Sequence, residues 1–292
     1  GPDPRLSFIS KGARMALRDF ASRTLVICFV GLLAACSQKA EMLKLSATQF
    51  GTATESAFDA YGTAQSAQFE PFAKSADEKR AEFLNNMETF NSSVTPANVE
   101  ALVDRNASSG TVGSSSEWKA TLASLRQQYQ EFVAIFDNIE SGSALGASAV
   151  TNSGPILKKL RQQLASITKN LQETPPQYLN RSATLVAQLN AIRADDNDDA
   201  AAKKLRYELW LQSWQSLMAA EQELQSTTLR HFISASTLGG KLQTQIDNYA
   251  KLDVASLIKA VEEGITLIDN INDLSAEELL SHGTDLIETA TQ

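Results

Sequence analysis

From Trp118 the apolar residues fall at Leu122, Leu125, Tyr129, Phe132, Phe136 and Ile139, in alternating steps of four and three. That spacing keeps one narrow stripe on a helix of about 3.5 residues per turn and asks for a second helix across it. In a strand the same residues would scatter over both faces. Leu157, Leu160, Leu164, Ile167 and Leu171 repeat the spacing further along. Two such seams so close together commit this part of the chain to helix packed on helix.

The rest of the chain agrees. Ala, Leu, Gln, Ser and Glu dominate, with only 14 Gly and 7 Pro in 292 residues, a helical composition. After Ser37, Leu43, Phe50, Ala53, Ala57, Phe58, Tyr61, Ala64 and Ala67 recur at helical steps, with small residues that let another helix come close. Gly51 and Gly62 weaken this helix, Pro71 ends or kinks it, and Phe83, Leu84, Met87 and Phe90 continue on a second piece. Thr95-Pro96 signals the start of a short helix to about Asp104, and Ser114 with Glu117 forms a capping box for the first seam. Two small-residue stretches, Asn106–Ser116 and Ser141–Ser153, read as loops.

Pro175-Pro176 stops the second seam, and Pro176–Ala194 forms the next helix with Tyr178, Leu185, Val186, Leu189 and Ile192 inward. After the charged turn Asp195–Asp199, a helix to about Thr237 carries Leu205, Tyr207, Trp210, Trp214, Leu217, Leu224 and Phe232, and Gly239-Gly240 is expected to break it. Leu242, Ile246, Tyr249 and Leu252 follow. Asp253 caps a helix carrying Leu257, Ile258, Val261, Ile265 and Ile268. Leu274, Ser275, Glu278 and Leu279 make a staple and capping box for a last one. The expected fold is therefore all-α: an elongated antiparallel bundle of six to eight helices with coiled-coil-like packing. It fills 36–292 as a single domain, with 36–110 as a candidate N-terminal subregion.

The start of the chain has a different grammar. A basic segment with Arg14, Arg18 and Arg23 precedes an apolar run from Thr24 that closes on Leu33-Ala34-Ala35-Cys36. This is the layout of a secretory leader, with an apolar core too short for a membrane span of about 20 residues. Met15 suits a start site, which leaves Gly1–Arg14 outside the fold. Leu33-Ala34-Ala35-Cys36 resembles the lipobox of bacterial lipoproteins, a resemblance confined to the leader and anchor. It implies that Leu33, Ala34 and Ala35 direct a signal peptidase, and that the mature chain begins at Cys36. It further implies that Cys36 carries a diacylglycerol on sulfur and an acyl chain such as palmitate on nitrogen. In Gram-negative members an Asp after the cysteine retains the protein at the inner membrane. Ser37 in that place implies the outer membrane, facing the periplasm.

Residues 1–35 carry five of the 26 basic and two of the 34 acidic residues, so 36–292 has a net charge of −11. A body this acidic argues against nucleic acid and anionic surfaces. Cys28 lies inside the apolar run, so Cys36 is the one cysteine of the mature chain and no disulfide framework exists. Asp195, Asn197 and Asp199 match the opening of a calcium loop, but Ala200 stands at the required Gly and Arg206 at the bidentate Glu. A polar turn fits better. With His231 and His282 alone, and Glu278 four residues before His282 instead of three, neither a di-iron nor a zinc site is expected. Both histidines read as surface or helix-end residues. Glu221, Glu223 and Glu262 read as solvated helix faces. Trp210 and Trp214, one turn apart, fit a core pair first and the floor of a ligand cleft or a partner anchor second.

No nucleophile elbow, phosphate loop or dinucleotide fingerprint appears. The expectation is a non-enzymatic, lipid-anchored helical interaction or scaffold protein of the cell envelope, without a cofactor or metal and with an envelope protein as partner. The alternative is a periplasmic ligand-binding or sensor bundle with a cleft near Trp210 and Trp214.

Overall fold

The structure, a computed structural model, describes residues 35–70, 117–137, 139, 144–196 and 199–279. Among these residues the fold is all-α. Six helices follow in order: α1 (Ala35–Ala67), α2 (Glu117–Asp137), α3 (Ala144–Glu173), α4 (Leu179–Ala194), α5 (Ala200–Asp247) and α6 (Val254–Asp273). Residues 276–279 are helical as well. The expectations about the leader, Pro71, the pieces at 83–90 and 96–104, the loop 106–116, the Ser114 cap and His282 lie outside the described residues.

The chain runs up and down. Paired residues rise along one helix as they fall along its neighbour: Lys44 meets Asp137 and Asp59 meets Arg126 across α1 and α2. Phe58 meets Phe232, while Phe50 lies at Gly239, across α1 and α5. Helix α5 is the spine. Its 48 residues span about 72 Å at 1.5 Å per residue. It needs that length because it returns along both α3 and α4, of 30 and 16 residues, which run end to end.

Two cores result. The larger joins α1, α2, α3, α6 and the C-terminal half of α5, and includes Phe50, Phe58, Tyr129, Phe132, Leu157, Leu164, Phe232 and Leu242. Both heptad seams face into it. Phe58 and Tyr129 meet edge to face at 5.1 Å between centroids, a favoured aromatic geometry. The buried Tyr129 hydroxyl donates to the Leu160 carbonyl, and burial raises its pKa. Among the described residues the smaller core joins α4 and the N-terminal half of α5, through Leu185, Leu189, Ile192, Tyr207, Trp210, Trp214 and Leu217.

Helix starts follow the capping chemistry. The Asp199 carboxylate accepts from the Ala202 N–H at 2.7 Å and Asp253 from the Ser256 N–H at 2.8 Å. Ser275 and Glu278 cap each other reciprocally, Ser275 N–H to the Glu278 carboxylate at 2.8 Å and Glu278 N–H to the Ser275 hydroxyl at 3.3 Å. Leu274 and Leu279 both pack into the larger core beside that cap.

Three sequence expectations need correction. Gly239-Gly240 does not break α5. A Cβ on Gly239 would lie 2.9 Å from the Phe50 ring and 3.2 Å from Arg161 Cγ, so glycine is there to let α1 and α3 approach an unbroken helix. Ser141–Ser153 is not all loop, because α3 begins at Ala144. Val150, Ser153 and Gly154 are buried, Gly154 against Ile246 and Asp247 at the end of α5, and the Ser153 hydroxyl donates to the Val150 carbonyl at 2.7 Å. Packing carries the helix through Pro155, which has no N–H for the ladder. Finally, α4 starts at Leu179 and not at Pro176; Pro176 is buried in the link that precedes it.

Candidate functional site

The lipobox resemblance directs attention to one end of the bundle. Leu33 and Ala34 lie outside the described residues, whereas Ala35 and Cys36 open α1, so the backbone is helical through the cysteine. No flexible linker separates Cys36 from the packed body: Ala40 and Leu43 are already buried. One turn beyond Cys36 the Lys39 ammonium lies over the Tyr249 ring, 4.6 Å from its centroid. That contact places the α5–α6 turn, residues 248–253, beside the start of α1. Lys44 pairs with Asp137 at the end of α2 at 3.2 Å. Asp253 accepts from Ser256 at the N-terminus of α6, which holds its pKa below the usual carboxylate range. Lys251 is exposed. Sequence reasoning missed Lys39 and Tyr249, since 210 residues separate partners that only the fold brings together.

The far end belongs to the tryptophans. Trp210 and Trp214 stack at 5.4 Å between centroids and 19° between planes. They are 3% and 1% exposed, so the pair is core and shows no indole face to solvent. Trp210 Nε1 donates to the Leu185 carbonyl at 2.6 Å, fastening α4 to α5. Trp214 Nε1 is buried without an acceptor. At the tip, Lys203 Nζ donates to the Arg193 and Asp195 carbonyls that close α4, and Arg206 Nη1 pairs with Asp195 at 2.7 Å. Asp195 and Asp199 are thus occupied as turn and cap. Asn197 lies outside the described residues.

Between the two cores α5 has no buried residue from Met218 to Thr227, and polar bonds hold the joint. Gln225 Nε2 donates to the Leu171 carbonyl near the end of α3 at 3.0 Å. The Tyr178 N–H donates to the Glu221 carboxylate at 2.9 Å. The end of α1 meets α4 through Asn180, whose N–H donates to Gln68 O and whose side chain donates to Phe69 O. Glu221 is therefore no solvated face. Burial raises its pKa, and the Tyr178 N–H opposes the rise. Glu223 and Glu262 are exposed as expected. No local signal in the sequence separates Glu221 from Glu223.

His231 also departs from expectation. It sits mid-helix in α5, half-buried beside Phe232, and its pKa is lowered mainly by desolvation and further by Arg230, against the pull of Asp59. Asp59 and Glu55 are both bridged by Arg126, and Gln130 donates to Glu55. This is an interhelix ion cluster on the outside of α1 and α2. Among the described residues no group of three or more His, Cys, Asp or Glu converges on a metal-sized site. No described helix is long and apolar enough to cross a membrane.

Comparison with known proteins gives no match to a family model, to a curated protein or to a solved structure.

Proposed function

We propose that this chain is a bacterial lipoprotein, held through acylated Cys36 at the periplasmic face of the outer membrane. Its helical body acts there as a non-catalytic interaction or scaffold module for another envelope protein. The observation that carries the reading is Leu33-Ala34-Ala35-Cys36 at the end of a basic-then-apolar leader. Helical backbone at Cys36 with Ala40 and Leu43 already buried supports it, because a body packed so soon after the cysteine is positioned by its anchor. Two or more acyl chains give a stable hold, each buried CH₂ adding about 0.8 kcal/mol. A bundle extended by a two-helix arm fits a scaffold: the arm adds reach and exposed helix surface to the anchored body.

Two experiments test this. Cys36→Ser should abolish lipid labelling and block cleavage before residue 36, leaving the leader on the chain; a variant that is still cleaved normally and still membrane-bound would contradict the anchor. A photo-crosslinking residue at exposed arm positions Gln188 or Gln215 should give one discrete adduct with an envelope protein in intact cells. Absence of any adduct at either position argues against the scaffold reading.

A further inference from the structure

The geometry points to an upright stance: the end of the bundle bearing the start of α1 and the 248–253 turn sits against phospholipid headgroups, and the α4–α5 tip at 195–199 is the end farthest from the bilayer. The inference rests on the proposed lipid anchor and adds the surface that meets the membrane and the orientation of the body.

Three observations carry it. First, α1 is helical from Ala35, and Lys39 touches Tyr249. Lys39 lies three residues from Cys36, about 4.5 Å along the helix, so lipid on Cys36 brings the 248–253 turn to the headgroup layer as well. Second, this end suits that layer. Lys39 is packed on an aromatic ring, Lys251 is exposed, and Leu252 and Val254 are half-buried beside them. Its acids are mostly occupied: Asp137 by Lys44, Asp253 by the start of α6, and Asp247 by Gln243. Among the described acids there, Glu41 is the exposed exception. An amphipathic cation and an aromatic ring at the interface match the chemistry of a phosphate-bearing surface.

Third, the flanks do not suit it. A body lying flat needs an apolar or basic side. The exposed large hydrophobic residues among the described ones are Ile156 and Ile258 alone, on two different helices. The net charge of −11 over 36–292 repels anionic lipid. Helix α5 runs from the anchored end to the tip without interruption, which places the tip about 72 Å away along the helix.

The test uses the mature lipidated protein with one new cysteine, Ala250→Cys or Asp196→Cys, both at exposed positions. Cys36 is blocked by its lipid, so an environment-sensitive fluorophore labels only the new thiol. The protein is reconstituted in phosphatidylethanolamine vesicles with a minor phosphatidylglycerol fraction and a nitroxide-headgroup lipid as quencher. The upright stance predicts loss of most fluorescence at position 250 and none at 196. Quenching at both positions means the body lies flat and overturns the inference. Quenching at neither, on protein that floats with the vesicles, overturns it while the anchor stands. Protein that carries no acyl group and fails to float removes the anchor and the inference together.

Discussion

The two halves of α5 are one helix in two situations. From Thr228 to Ile246 it is wrapped, with Thr228, Leu229, Phe232, Ile233, Ser234, Ala235, Leu238, Gly239, Leu242, Gln245 and Ile246 buried beneath α1, α3 and α6. From Tyr207 to Leu217 the buried residues fall in a single stripe, Tyr207, Trp210, Trp214 and Leu217, that packs with α4. The wrapped half uses small residues and glycine because several helices must come close to it. The striped half uses two tryptophans because one thin interface must bury enough apolar area to hold a hairpin. The arm is thus a satellite, tied to the body by a continuous backbone and a polar joint.

The largest expected effects separate the two cores. Phe232→Ala, fully buried in the body, should cost about 3–5 kcal/mol. Because its core joins five helices, exchange protection should fall throughout α1, α3 and the body half of α5. Trp214→Ala should lose a similar amount, but only α4 and the N-terminal half of α5 should exchange faster. Equal loss of protection in the body would show that the two cores unfold as one unit.

The glycine pair makes a finer contrast within the wrapped half. Gly239→Ala drives a Cβ against the Phe50 ring at 2.9 Å and should cost about 1–3 kcal/mol in denaturant melts, as overpacking does. Gly240→Ala meets only the Arg161 guanidinium at 3.5 Å and should gain up to about 1 kcal/mol from helix propensity. The same sign at both positions would refute the close approach assigned to Gly239.

In the arm the tryptophans should also differ. Trp210→Phe removes the bond from Nε1 to the Leu185 carbonyl. Trp214→Phe removes no hydrogen bond, since its N–H has no acceptor. Trp210→Phe should therefore destabilise the arm by about 1 kcal/mol more, read from exchange at Leu185 and Leu189.

The smallest effects come from pH and have opposite signs in the two regions. His231, in the body, has a folded pKa below its ordinary 6.5. Its contribution is full above 6.5 and is lost as pH falls through the folded value. His231→Gln should flatten the body's stability between pH 7.5 and 5. Glu221, at the joint, has a folded pKa above its ordinary 4.5. Its contribution is full below 4.5 and is lost as pH rises through the folded value, so Glu221→Gln should remove that slope from arm protection.

Much of this was legible in the sequence, wherever structure depends on local spacing. The seams from Trp118 and Leu157, the cap at Asp253, and the Ser275–Glu278 box each need only residues within a turn or two of one another. Trp210 and Trp214 read as core for the same reason, one helical turn apart on an apolar stripe. The failures share a cause. Gly239-Gly240 and the stretch from Ala144 to Ser153 looked like a break and a loop because small residues carry two meanings, a flexible link or a close helix crossing. Only the neighbour decides: Phe50 and Arg161 for Gly239, and the end of α5 for Gly154. The role of Glu221 was hidden likewise, since Tyr178 lies 43 positions away. The anchor is read from the leader alone, because the fold adds only that α1 runs straight into Cys36.

The central claim, a body fixed to the membrane through Cys36, is tested most directly by mass spectrometry of the N-terminal peptide from protein expressed in a bacterial envelope. The account predicts a peptide beginning at Cys36 with the added mass of a diacylglycerol and an N-linked acyl chain. A peptide beginning elsewhere, or an unmodified Cys36, would contradict it.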